Sequence, residues 1–384
     1  MVNVAITGGS GFIAHHVIKK LQENSSGLVD SILTIDKKPK LQKFLNYPEK
    51  IPVKHLQLDI VDTEALEQAL SGIDVVFHFA RKRLEFLFDA EKEVEFSELY
   101  IRDNITATES VLSAMISSNV QHLIFLSDAY ANLGVEDNFG LSEDNYPGIP
   151  NNFIMGEAGE TRIRAELIAR SFVGKKLRNG KDLRGAFPRP VFVYGEGEKK
   201  LPLALEKVAR RHDGSVPYLE GSSRGMFQFI YAGNLAGMLE TTMKTLLEAP
   251  ERCNGDYFYC MDDTKASKIH EFLEPLASSM DISFGPSSNY YLSLITSLFS
   301  EYRERFLGSN QDLLGGKFST TALRFLFGFA YGFSHRKQQL TIDYRPEMSS
   351  SEAMERTAAW IKGELKNKSM KLKMKHQDNV LRMG

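Results

Sequence analysis

The stretch that most constrains this chain is its start: Val2-Asn3-Val4-Ala5-Ile6-Thr7, then Gly8-Gly9-Ser10-Gly11-Phe12-Ile13-Ala14. Small and β-branched residues predict a buried strand, and three glycines within four positions predict a tight turn. Apolar residues at helical spacing through Val17 and Leu21 predict a helix after it. Glycine serves where backbone turns sharply and must approach a ligand with no Cβ in the way. A helix starting at such a turn aims its free N–H groups and positive dipole end over it, which suits a pyrophosphate. The spacing Gly8, Gly11, Ala14 is G-x-x-G-x-x-A and not G-x-G-x-x-G, so the match to a dinucleotide fingerprint rests on its strand–turn–helix context. A turn with no ligand would use the same glycines, and the residues downstream decide between the two.

Those residues continue the pattern. A second strand over residues 31–35 ends at Asp36. An acid about 20 residues past the glycines, at a strand tip, accepts hydrogen bonds from the adenosine ribose hydroxyls. It repels a 2′-phosphate, which favours NAD over NADP. Lys37 and Lys38 pull the other way, because both can neutralise a phosphate, and an acid in a solvated loop is the plain alternative for Asp36. A third strand over 53–58 leads into Asp59-Ile60, a helix follows over 63–70, and a fourth strand spans 74–80. A long helical stretch over 91–117 and a fifth strand over 122–127 complete the series. Short, near-continuously apolar strands alternating with helices predict an α/β fold with a doubly wound parallel sheet covered on both faces. His78, inside the fourth strand, reads as a hydrogen-bonded core histidine.

Composition limits the remaining possibilities. The 384 residues suffice for a large core in one or two domains, and a net charge of −2 gives no overall attraction for nucleic acid. Cys253 and Cys260 are the only cysteines, too few for a disulfide framework and without metal-ligand spacing, so no metal is expected. Met1 leads straight into the first strand, which argues against a secretory signal and for a cytoplasmic setting. No run reaches the ~18 uncharged apolar residues of a spanning helix.

At this length the chain resembles an extended short-chain dehydrogenase/reductase, and most of all the 3β-hydroxysteroid dehydrogenase/isomerase group. The resemblance is carried by 7–13, Asp36, Asp59-Ile60, Val76-Phe77-His78-Phe79-Ala80, Asn104, Arg189-Pro190-Val191-Phe192-Val193-Tyr194-Gly195 and Phe229-Ile230-Tyr231-Ala232-Gly233-Asn234-Leu235. Gly255-Asp256-Tyr257-Phe258, Tyr344-Arg345-Pro346 and 353–360 extend it to about residue 362. It implies NAD as cofactor, held by Gly8, Gly11, Phe12, Ile13 and Asp36, with Asp59 and Ile60 flanking the adenine. Phe79, Ala80 and Arg81 would pass beneath the pyrophosphate and ribose, Asn104 would stand close by, and Pro190 to Val193 would line the nicotinamide. It also implies a Rossmann domain over 1–190 whose sheet is completed by about 226–245, a substrate domain mainly over 191–362, and a basic, disordered tail over 363–384. The implied reaction is hydride transfer from a 3β-hydroxyl of a steroid or sterol-like lipid to NAD.

The family performs that reaction with Ser or Thr, Tyr and Lys, the last two as Tyr-x-x-x-Lys. An alcohol must lose a proton as its hydride leaves, and a phenol with an ordinary pKa near 10 becomes a base at neutral pH only beside positive charge. Here Thr161, Ala165 and Glu166 fix the register, which places Ala158 at the tyrosine and Arg162 at the lysine. Counting back from Gly134 places Ala129 at the serine, with Ser127 and Asp128 close by. None of the 14 tyrosines has a lysine four residues later. Arg162 can still hold ribose hydroxyls with its fork of donors. Either the chain binds dinucleotide without the usual catalysis, as a sensor or scaffold, or another group substitutes. Tyr130, Tyr146, Glu157 and Glu160 are the candidates, expected near the mouth of the cleft.

Two apolar segments, 290–299 and 323–333, each read as a substrate-pocket wall, a shallow membrane-docking surface or core packing. In the family these regions flank a lipid, so a place on the cytosolic face of the endoplasmic reticulum or of other lipid membranes is the alternative to the cytoplasm. The resemblance leaves a homodimer open.

Overall fold

The computed structural model describes residues 1–39, 43–82, 84, 97–145, 148–220, 225–307 and 319–364. Tyr146 and the tail from residue 365 onward lie outside the described residues.

Seven parallel strands form the central sheet: β1 Val2–Thr7, β2 Val29–Asp36, β3 Val53–Gln57, β4 Val75–His78, β5 His122–Phe125, β6 Arg184–Pro190 and β7 Tyr257–Cys260. Their spatial order is β7-β6-β5-β4-β1-β2-β3. The order reverses between β1 and β4, the switch point where open α/β sheets bind ligands beyond their strand ends. Val4, Ala5, Ile6, Val75, Val76, Phe77 and Ile124 are fully buried. Each large apolar side chain among them contributes about 1.5–3 kcal/mol relative to exposure. Helices cover both faces. On one, α1 (Phe12–Asn24) packs against a helix spanning Ala232–Glu248. On the other lie α2 (Thr63–Ala69), α3 (Ala107–Ser117) and α4 (Gly156–Phe172), packed α2 on α3 and α3 on α4.

Two sequence expectations change. The seventh strand is β7, whereas residues 226–245 do not complete the sheet: Phe229–Tyr231 pairs with Phe192–Tyr194 in a separate two-stranded sheet, and Ala232–Glu248 is helical. The helical stretch before β5 is not uniform, and residues 91–96 lie outside the described residues. Between the short helix Ser97–Tyr100 and α3, a π-helical turn spans Ile101–Thr106. Wider turns of this kind are frequent at functional sites. The aromatic run over 323–333 divides into a π-helical turn, Arg324–Gly328, and a strand, Tyr331–Phe333. Phe325, Tyr331 and Phe333 from this run are core residues.

The helix Tyr290–Leu307 is different: Tyr291, Leu292, Ile295 and Phe299 along it are exposed. Among the described residues no helix is long and apolar enough to cross a membrane, and no cluster of His, Cys, Asp or Glu could hold a metal ion.

Candidate active site

The glycine turn sits at the switch point, and each glycine has its own reason. Gly8 has a φ of +71°, and a Cβ there would lie 2.8 Å from the Ala80 nitrogen. A Cβ at Gly9 would lie 2.5 Å from the Thr34 Cβ, so these two glycines seat the turn against β4 and β2. A Cβ at Gly11 would meet only the Gly8 carbonyl, at 3.1 Å, and would otherwise project into open space at the head of α1. That helix has no side-chain cap at its N-terminus and no acid in its first turn. Its leading N–H groups therefore keep the donor capacity and positive field that an anion would use. Asp36 is held at the same place, since its carboxylate accepts from the Ser10 N–H at 3.0 Å and the Lys38 N–H at 2.9 Å. A dinucleotide fits these residues: an open cradle at Gly11, a bare helix start at Phe12 and Ile13, and a fixed carboxylate at the strand tip.

The flanking residues follow. Ile60 and Phe79 are buried, whereas Ala80 and Arg81 are half-buried at the end of β4. Burial raises the Asp59 carboxyl, but hydrogen bonds from the Arg102 guanidinium and the Val61 N–H outweigh it and hold the group below its ordinary range. Asn104 turns inward from the π-helical turn, giving its Nδ2 to Thr161 Oγ1 at 2.9 Å and accepting the Lys82 N–H at 2.8 Å. It thereby ties the end of β4 to α4. Pro190 is buried, Val193 half-buried, and the Pro190 carbonyl accepts the Ala129 N–H at 3.1 Å.

Ala129 and Ala158, the positions the resemblance assigns to serine and tyrosine, are both buried and present only methyl groups. Arg162 is not free for a ribose. Its Nη1 donates to Asp128 Oδ2 at 2.6 Å and its Nη2 to the Lys82 carbonyl at 2.9 Å. Its buried Nε has no hydrogen-bond partner among the described residues. Arg81 approaches the same carboxylate oxygen at 3.9 Å and donates to the Ser127 carbonyl at 2.8 Å, while the other Asp128 oxygen accepts the Tyr130 N–H at 3.0 Å. A buried guanidinium and a half-buried one thus share one carboxylate. Burial pulls Arg162 down, with Asp128 opposing, and burial together with Arg162 pulls Arg81 down to about 10. A cavity of about 20 Å³, lined in part by His78, Arg81, Asn104, Ser127 and Arg162, lies beside the pair and has room for about one water. His78 is a core residue as expected, bonded to Thr7 at 2.7 Å and Thr108 at 3.2 Å, and burial lowers it to about 4.

The structure does not gather the expected substitutes around Arg162. Tyr130 is not at a cleft mouth. It is 3% exposed within a ring of Phe227, Phe325, Tyr331 and Phe333. Its hydroxyl donates to the Gln228 carbonyl at 3.1 Å, and burial keeps the phenol protonated. Glu157 is exposed at the start of α4, and Glu160 pairs with Arg164 at 2.5 Å. Asp128, noted in the sequence only as a neighbour of Ala129, is closer. It is the counter-ion of Arg162, and Tyr100 is buried on the short helix that packs against α4. The available signal was charge: an arginine at a buried lysine position demands an acid.

The sequence matches the 3-beta hydroxysteroid dehydrogenase/isomerase family over residues 5–290. It is 23% identical over 375 residues to a vaccinia virus (strain Ankara) protein described as 3 beta-hydroxysteroid dehydrogenase/Delta 5-->4-isomerase, covering 94% of this chain and 99% of that one. It is 24% identical over 363 residues to the Xenopus laevis short-chain dehydrogenase/reductase family 42E member 1, covering 94% and 88%. Among solved structures, MoeE5 in complex with UDP-glucose and NAD shares the fold with a TM-score of 0.65 at 17% identity, over 94% of this chain and 99% of that one.

Proposed function

The chain belongs to the 3-beta hydroxysteroid dehydrogenase/isomerase family, and on that premise we propose that it binds NAD and a steroid or sterol-like lipid without running the family's tyrosine-dependent alcohol oxidation. Bound NAD supplies a hydride acceptor. Gly8, Gly11, Phe12 and Ile13 would hold its pyrophosphate, Asp36 its adenosine ribose, Asp59, Ile60, Phe79 and Ala80 its adenine side, and Pro190 and Val193 its nicotinamide side. The observation that carries the reading is the Arg162–Asp128 pair at 2.6 Å beside the buried Ala158. A cation at position 162 would lower a phenol's pKa, yet position 158 has no phenol and the cation is already neutralised. Loss of a positioned acid–base group costs about 10²–10⁴-fold in rate.

The test is NADH formation by the purified protein from NAD and a panel of 3β-hydroxysteroids, beside the triple variant Asp128→Ser, Ala158→Tyr, Arg162→Lys. Asp128 must be replaced as well, because its carboxylate would otherwise capture the new ammonium. We expect silence from the natural protein and turnover from the triple variant. Turnover by the natural protein would overturn the reading in favour of a dehydrogenase with a different proton acceptor. Asp128 and Tyr100, the acid and the phenol near Arg162, carry that second reading, and Asp128→Asn and Tyr100→Phe would identify which one acts.

A further inference from the structure

A chain of four alternating charges crosses the adenosine end of the cleft. Lys37, one residue past Asp36, gives its Nζ to Asp103 Oδ2 at 3.0 Å. The other Asp103 oxygen accepts from Arg102 Nη1 at 2.6 Å, and Arg102 Nη2 reaches Asp59. The chain joins the tip of β2 to the loop after β3 through the π-helical turn. That turn makes it possible, because its consecutive residues Arg102 and Asp103 face the rim while Asn104 is buried toward α4. Both cations here, Lys37 and Arg102, already face acids. A 2′-phosphate arriving at this rim would meet the carboxylates of Asp36 and Asp103 with Lys37 occupied.

We infer that Asp103 is a specificity-determining residue that keeps the site selective for a dinucleotide with a free 2′-hydroxyl, by holding Lys37 in an ion pair and adding a second negative charge beside Asp36. The inference rests on the cofactor reading above and extends it to a residue that makes none of the expected cofactor contacts. It explains how Lys37, the first residue past that strand tip, can stand at the ribose end without favouring a 2′-phosphate. Replacing Asp103 removes a repelling charge and releases an attracting one, so both effects favour NADPH. Partly exposed charges act weakly, so the combined change in relative affinity is about fivefold.

The experiment is calorimetric titration of NADH and NADPH into the natural protein, Asp103→Asn, Lys37→Met and the double variant. We expect Asp103→Asn to narrow the preference for NADH about fivefold, most of that gain to vanish in the double variant, and Lys37→Met alone to change the preference less than it does in the Asp103→Asn background. The gain should also shrink at high salt, where exposed charges are screened. An unchanged preference in Asp103→Asn, with NADH still bound, would overturn the inference and leave the cofactor reading standing. A gain kept in full without Lys37 would overturn the ion-pair account. Failure of the natural protein to bind either nucleotide would refute the cofactor reading and this inference together.

Discussion

The two ends of the cleft treat the family pattern differently. At the glycine turn, backbone geometry is retained: Gly8 holds a left-handed φ against β4, Gly11 leaves the head of α1 open, and Asp36 is fixed by two N–H groups. At the α4 corner the backbone is retained too, since Asn104 still bridges Thr161 and the end of β4. The positions that the resemblance assigns to serine and tyrosine hold Ala129 and Ala158, and the buried Arg162 is matched by a buried aspartate. Binding a dinucleotide depends on where the main chain runs, and proton transfer depends on a few side-chain atoms. The second can be lost while the first persists.

This contrast can be broken at several points. Among substitutions, the largest effect is expected from Asp128→Ala, which strands Arg162 and Arg81 without their carboxylate. Breaking a buried pair costs about 3–5 kcal/mol. Urea denaturation should show that loss, while NADH binding survives under conditions where the variant remains folded. Gly8→Ala should do the reverse. Forcing a side chain into that φ, 2.8 Å from the Ala80 nitrogen, costs about 1–3 kcal/mol and should displace the turn enough to abolish NADH binding. Next comes pH. Burial lowers His78 and His16 from 6.5 to about 4, so between those values the unfolded chain binds protons that the folded one refuses. Their contribution is intact above pH 6.5 and is lost as pH falls toward 4, at roughly 1.4 kcal/mol per pH unit for each histidine. Denaturation midpoints across that range should fall accordingly, and a flat profile would contradict the buried, neutral assignment. The smallest effect is expected from Thr161→Val, which removes the Asn104 bond at about 1 kcal/mol and should slightly lower the melting temperature without changing nucleotide preference.

Much of this was legible in the sequence where the signal is local. The glycine turn, Asp36, the alternation of apolar strands with helices, and the missing Tyr-x-x-x-Lys all lie within short windows. What escaped depends on partners far apart in the chain. Asp128 and Arg162 are 34 positions apart, and only the packing of α4 beside the loop after β5 brings them together. Phe229-Ile230-Tyr231 has strand composition, yet its partner is Phe192–Tyr194, and the sheet takes Tyr257–Cys260 as its edge. The aromatics of 323–333 fit helical spacing, but Gly328 and Gly332 punctuate the run and the rings close around Tyr130. Tyr130, which looked exposed from its loop position, is enclosed by residues some 100 to 200 positions away, as the separations in the sequence show.

The separation of the two ends is tested most directly by calorimetric titration of NADH into the natural protein, with Gly11→Trp as the control that fills the open cradle without touching the α4 corner. The account predicts saturable binding by the natural protein and none by Gly11→Trp. No binding by the natural protein, or equal binding by both, would contradict it.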